Sequence, residues 1–277
     1  MKTSISDLQK KGYVAFPYPM DLRSAVDETA KLWKKFCALP LETKLSLPYS
    51  NNTAGVGYEL KEGVGNKADK KENFDVTLAG IEWLETHIKS LGNHEALEFV
   101  EKAIGLLAPL KPIIYAFAQE VEREFGLAGF TDEVSASENS FFIRFIHCFG
   151  GREVGEVITA GHPDQSGFTP HLFESSPGLQ CLNYDGVWEP MPVSRGETVI
   201  IPDMQMQLRS DGKLRALWHR VVATTETAEI GRYSAVCFIQ LKNTPKYNKE
   251  QWGRLQEMEE GFNYNMKPEE FAKFFKM

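Results

Sequence analysis

The chain has no long apolar run, no surplus of basic charge and little cysteine, and each shortage closes off a class of protein. Its most apolar stretch, Ile104 through Ala118, is interrupted by Lys111 and by Pro109 and Pro112. That stretch is shorter than the roughly 20 residues a bilayer-crossing helix needs. Met1 to Asp7 carry no apolar block of the kind that opens a secretory leader. A formal net charge of −7 argues against nucleic acid or an anionic membrane surface as the main partner. The four cysteines, Cys37, Cys148, Cys181 and Cys237, are scattered without paired spacing. They read as reduced thiols in a cytoplasmic protein rather than as a disulfide framework. There is no internal repeat, low-complexity tract or interdomain linker.

What is present suits one sizeable core: 277 residues, 42% of them hydrophobic. We divide residues 1–277, as a single domain, into a mostly helical region (1–135), a β-rich core (136–245) and C-terminal helices (246–277). Gly12 to Phe16 reads as a strand. Leu22 to Ala38 reads as a helix, with Val26, Ala30, Trp33 and Cys37 at helical spacing. An Asn- and Gly-rich loop, Ser50 to Asn66, precedes a helix at Ile81 to His87. Glu95 to Phe125 reads as one or two helices with a break or kink at Pro109 and Pro112. From Ser140 the period shifts to strands: Phe141 to Cys148, Leu179 to Tyr184, Val187 to Val193, Thr198 to Ile201, Ala216 to Thr224 and Tyr233 to Leu241. Asp185-Gly186 marks a hairpin. Strands in succession separated by turns predict a sandwich or barrel.

Three short motifs carry the chemistry. In His162-Pro163-Asp164, side chains at i and i+2 of a strand would project from one face and reach one ion together. His219, in the strand-like run Ala216 to Thr224, supplies a second imidazole 55 residues beyond Asp164, room enough for two hairpins. Two imidazoles and one carboxylate can occupy one face of an octahedral ferrous ion and leave the other face open. A lone His-x-Asp is also what a strand end with a turn-forming Pro-Asp looks like. The third motif, Arg232-Tyr233-Ser234, places a guanidinium and a hydroxyl at i and i+2. A guanidinium presents a planar fork that matches a carboxylate.

In this order, His-x-Asp, His219-Arg220-Val221 and Arg-x-Ser, the chain resembles the isopenicillin N synthase-like group of Fe(II)- and 2-oxoglutarate-dependent oxygenases. Lesser landmarks agree in sequence: Phe36 to Pro40 with Lys44, Gly57-Tyr58, Lys71 to Phe74, Gly178 to Gln180, Trp188 with Pro190 and Pro192, and Gly196 to Ile201. The resemblance implies a mainly β fold with flanking helices, a double-stranded β-helix or jelly-roll core behind an N-terminal helical region. It implies Fe(II) on His162, Asp164 and His219, and 2-oxoglutarate as cosubstrate with its distal carboxylate on Arg232 and Ser234. Ascorbate is a further candidate reductant. The implied activity is oxidation of a small organic molecule by O2, through hydroxylation, desaturation or ring closure, with release of succinate and carbon dioxide.

One stretch departs from the pattern. Where many relatives carry an Asn and a Tyr that assist the cosubstrate, this chain reads Arg144-Phe145-Ile146-His147-Cys148-Phe149. That departure keeps open a related iron oxidase that does not use 2-oxoglutarate. A non-catalytic metal-binding jelly roll is the alternative from another class. His171 and Arg144 are candidate substrate contacts. His147 reads as a satisfied core residue, and His87 and His94 as surface groups. The tail, with Trp252, Leu255, Gln256 and Glu259 in one amphipathic helix and Phe271, Phe274 and Phe275 in another, packs on the body or covers the cavity. The substrate and the oligomeric state are not legible.

Overall fold

The computed structural model describes residues 4–50, 55–61, 70–191, 196–255 and 266–276. In its first part, helix α1 (Asp7–Lys11) leads into strand β1 (Val14–Pro17), helices α2 (Met20–Cys37) and α3 (Leu41–Leu45), strands β2 (Gly57–Lys61) and β3 (Lys71–Thr77), and helices α4 (Ile81–Leu91), α5 (His94–Gly105), α6 (Leu107–Phe125) and α7 (Phe130–Ala136). The second part runs β4 (Phe141–Cys148), β5 (Val157–His162), β6 (Phe168–Glu174), β7 (Leu179–Leu182), β8 (Trp188–Pro190), β9 (Glu197–Pro202), α8 (Met204–Arg209), β10 (His219–Val222) and β11 (Arg232–Ile239). It closes with β12 (Lys246–Tyr247), α9 (Lys249–Trp252), α10 (Pro268–Ala272) and β13 (Phe275–Lys276).

Two antiparallel sheets form the core, a seven-stranded one in the order β1-β9-β6-β11-β4-β3-β2 and a four-stranded one in the order β5-β10-β7-β8. This is the expected mainly β architecture with flanking helices. Alternation along the central strands explains how the large sheet serves two layers. In β4, Phe141, Ile143 and Phe145 point to the helices, as do Ala235, Cys237 and Ile239 of β11. The intervening Arg144 and Ile146, and Arg232, Ser234, Val236 and Phe238, point to the cavity between the sheets.

On the helical side, α2 buries Val26, Ala30, Trp33 and Phe36, one stripe of an amphipathic helix. Trp33, Phe36, Phe74 and Phe145 surround Phe99 of α5, with ring centroids 5.0 to 5.3 Å from it, edge-on or tilted as aromatic quadrupoles prefer. Between the sheets a second apolar group, including Leu179, Ile201, Leu217 and Val221, packs one end of the sandwich.

Several sequence-based expectations need correction. Residues 1–135 remain mostly helical, and the difference there is that β2 and β3 join β1 in the large sheet. Of the Asn- and Gly-rich loop, residues 57–61 form β2, while 51–54 and 62–66 lie outside the described residues. The helix break falls at Gly105–Leu106 rather than at the prolines. Pro109 is the third residue of α6, where a missing N–H costs nothing because the first four are unpaired in any helix. Pro112 sits inside the continuing helix. In the C-terminal region, β12 pairs with β13, which holds Phe275. Gln256 and Glu259, like Pro192 and Val193, lie outside the described residues. No helix among the described residues is long and apolar enough to cross a membrane.

Candidate metal centre and cosubstrate cavity

Strands β5 and β10 pair antiparallel with His162 opposite His219, so two residues 57 apart in sequence face one point. Asp164 reaches that point differently from the same-face expectation. β5 ends at His162, and Asp164 lies beyond it, in a loop pinned where the Met204 N–H at the start of α8 donates to the Asp164 carbonyl at 2.9 Å. The three side chains then converge. His162 Nε2 stands 3.7 Å from one carboxylate oxygen of Asp164, and His219 Nε2 stands 3.8 Å from the other. One ligand atom from each lies within 4.8 Å of those of the other two.

The orientation of both imidazoles is fixed from behind. His162 Nδ1 donates to the Ala160 carbonyl at 2.8 Å, and His219 Nδ1 donates to the Leu217 carbonyl at 3.2 Å. A ring that donates from Nδ1 presents a lone pair at Nε2, the tautomer a metal requires. Burial pushes His219 down to about 4, with His162 and His171 adding to the shift against the pull of Asp164. It is therefore neutral at pH 7. This donor set, two imidazole nitrogens and a carboxylate on one side of a cavity, fits a ferrous ion with open positions.

Arg232 and Ser234 stand on the adjoining wall, both buried on the cavity face of β11. Gly231 launches that strand at φ 84°, and a Cβ there would lie 2.5 Å from the Cys148 carbonyl, so the position needs glycine. The Arg232 guanidinium is ion-paired with Glu174 of β6 and donates from Nε to the Ser176 carbonyl at 3.4 Å. The guanidinium thus already holds a carboxylate supplied by the chain, the kind of group that the distal end of a dicarboxylate would present to it.

Glu174 was invisible to sequence reasoning for a specific reason. Ser234 pairs with Glu174 and Val236 with His171, a register that contains one extra residue in β6. Strict alternation would set His171 and Glu174 on opposite faces. The bulge turns both to the cavity. His171 Nδ1 donates to Glu174 at 3.0 Å, while its buried Nε2 has no protein partner. Burial holds His171 down at about 4, so the ring is neutral and Nε2 presents a lone pair to the cavity.

Arg144 of β4 also lines the cavity, as do Phe238 of β11 and Lys71 of β3. Its guanidinium binds Asp75 bidentately, at 2.8 and 2.6 Å. At the two positions where polar helpers are common, Ile146 and Cys148 supply apolar wall. A second residue missed in the sequence is Asp203, buried just ahead of α8, which accepts from Ser166 and, at 2.7 Å, from Thr169. Burial, then the charge of Asp164, pushes its carboxyl well above the ordinary range. Its backbone N–H holds the Gly167 carbonyl at 3.0 Å, which helps to fix the loop that carries Asp164.

A jelly roll with two imidazoles and a carboxylate at one end of its cavity, and a buried arginine beside them, is the architecture of a non-haem iron oxygenase. Residues 138–241 match the sequence profile of the 2OG-Fe(II) oxygenase superfamily, and this segment is a 2OG-Fe(II) oxygenase domain. The chain is thus an oxidoreductase of the kind that uses iron and 2-oxoglutarate. It is similar to azadirone synthase from Melia azedarach, 24% identical over 238 residues that cover 77% of this chain and 69% of the relative. Two solved structures show the same fold. One is a 2OG-Fe(II) oxygenase family protein from Caulobacter crescentus, with TM-score 0.70 and 21% identity over 86% of this chain and 80% of that one. The other is the Arabidopsis thaliana dioxygenase for auxin oxidation in complex with 2-oxoglutarate, with TM-score 0.69 and 17% identity over 89% of this chain and 91% of that one.

Proposed function

We propose that His162, Asp164 and His219 hold Fe(II), that Arg232 and Ser234 receive the distal carboxylate of 2-oxoglutarate, and that the chain uses O2 to hydroxylate or desaturate a small organic molecule. The observation that carries this reading is the convergence of two Nε2 lone pairs and one carboxylate, each imidazole held from behind by a backbone carbonyl. The bound metal and keto acid supply the oxidising chemistry, with succinate and carbon dioxide as the cosubstrate's products. The protein's part is to hold the three ligands on one side, to keep the facing positions open, and to surround the reacting end with apolar wall. Ile146, Leu179, Val221 and Val236 supply that wall.

Phe238 and Arg144, on β11 and β4, line the cavity and are the side chains we assign to substrate contact. Arg144, held rigid by Asp75, offers a fixed cationic edge, and His171 Nε2 offers an acceptor nearer the metal. The two sheets and the N-terminal helices work as one unit, supported by an apolar core that runs without interruption from Leu8 through α2, α5 and α6 to β11. Four unpaired thiols support a reducing, cytoplasmic setting.

The test is anaerobic addition of 2-oxoglutarate to Fe(II)-loaded protein, followed by admission of air. Chelation is read as a visible charge-transfer absorption, and turnover as succinate. We expect both for the wild type and neither for His219→Ala. Absence of both from correctly folded wild-type protein would refute the reading.

A further inference from the structure

The pairing of Arg232 with Glu174 has a consequence for the cosubstrate. Arg232 is the cation on the cavity face of β11, and its fork is held by a carboxylate that the chain itself provides. Both side chains are almost wholly inaccessible, 2% and 3% exposed, so neither charge is screened by water. A second carboxylate entering this volume would place two anions on one guanidinium in a low-dielectric site, an arrangement that strongly disfavours having both in place.

We propose that Glu174 is a built-in competitor for the distal carboxylate of the cosubstrate, and that it sets both affinity and selectivity among 2-oxo acids. The proposal rests on the reading that Arg232 and Ser234 receive that carboxylate. Three features of this chain support it. The bulge in β6 puts Glu174 directly across from Ser234, so the internal carboxylate occupies the same subsite as the expected one. His171 holds the other oxygen of Glu174 at 3.0 Å and keeps the side chain aimed at Arg232. On the neighbouring strand, the two positions opposite Arg232 and Ser234 are Cys148 and Ile146, which supply apolar wall there and no compensating charge. To bind, 2-oxoglutarate must displace Glu174 from the fork. A 2-oxo acid without a distal carboxylate meets no such demand, so the native protein discriminates weakly between the two kinds of acid.

Calorimetry on the Mn(II)-loaded protein tests this without turnover. Titrations of 2-oxoglutarate and of 2-oxobutyrate, which has no distal carboxylate, are compared for the wild type and Glu174→Gln. We expect Glu174→Gln to bind 2-oxoglutarate about tenfold more tightly or better, because a fully desolvated competing charge has been removed. The affinity for 2-oxobutyrate should change by less than about threefold, since the metal-binding end is untouched. Equal or weaker binding of 2-oxoglutarate by the variant, or equal tightening of both acids, overturns the proposal. If Glu174→Gln does not fold, because it leaves the Arg232 charge unpaired, Glu174→Asp is read by the same criterion, its carboxylate being withdrawn by one methylene. A wild type that binds 2-oxobutyrate, together with failure of both proteins to bind 2-oxoglutarate, refutes the role given to Arg232 and Ser234. Binding to the wild type without gain in the variant refutes only the role given to Glu174.

Discussion

Two places among the described residues gather three potential metal ligands within 4.8 Å of one another: His162, Asp164 and His219 between the sheets, and Cys37, Glu72 and His147 where α2 meets β3 and β4. They are chemically opposite. At the second, Lys44 lies 2.6 Å from Glu72, and Tyr58 and His147 donate to the same carboxylate at 2.7 and 2.8 Å. The position a cation would take is filled by an ammonium group. Burial pushes Glu72 upward, but the bonds from His147, Lys44 and Tyr58 outweigh it and hold the carboxyl down at about 2. At the first site no side-chain cation among the described residues intrudes among the three, and both imidazoles spend their proton on the backbone. Ligand-type residues in proximity therefore do not define a metal site. What defines it is whether their lone pairs are already used.

This contrast predicts effects of graded size. The largest belongs to the sheet site: Asp164→Ala should lower Mn(II) affinity by about 100-fold or more with little change in melting temperature, measured by calorimetry and thermal denaturation. His147→Ala should show the reverse, with metal affinity unaltered. Should His147→Ala reduce metal binding as much as Asp164→Ala does, the two sites are not distinct. Next, Glu72→Ala should destabilise the fold by about 3 to 5 kcal/mol in urea unfolding, because the Lys44 ammonium is left buried and unpaired.

Acid should act on the same group. Its folded value lies below the ordinary 4.5, at about 2, so its contribution is fully present above pH 4.5 and is lost as pH falls toward 2. The loss should approach about 3 kcal/mol and should be absent from Glu72→Gln, read as urea midpoints across that range. The smallest effect is expected at Asp203. Its carboxyl is held toward the neutral form, so Asp203→Asn should cost no more than about 1 kcal/mol and leave the metal affinity within about threefold. A large loss there would mean that a charge at Asp203 matters to the centre.

Legibility in the sequence varied by the kind of physics involved. The eight residues Phe141–Cys148 matched their strand without adjustment, because alternation in a strand buried on one side is a local signal. Arg232 and Ser234 share a face for the same reason. The pairing of His162 with His219 followed from motif order and chain length, although Asp164 joins them through a loop. Glu174 could not have been found this way, since one extra residue in β6 inverts the face of everything beyond it. Nor could Lys44 be assigned: the sequence offered a landmark, and only the fold places its ammonium on Glu72.

By itself the sequence determined which side chains are available and, through local periodicity, which of them share a strand face. The tertiary structure alone decided which charges meet: Glu174 with Arg232 across a bulge, Lys44 with Glu72 across a helix and two strands, and the Asp164 carboxylate between two imidazoles. Periodicity is a property of a few consecutive residues. Electrostatic pairing depends on register between segments remote in the chain, which a shift of a single residue can reverse.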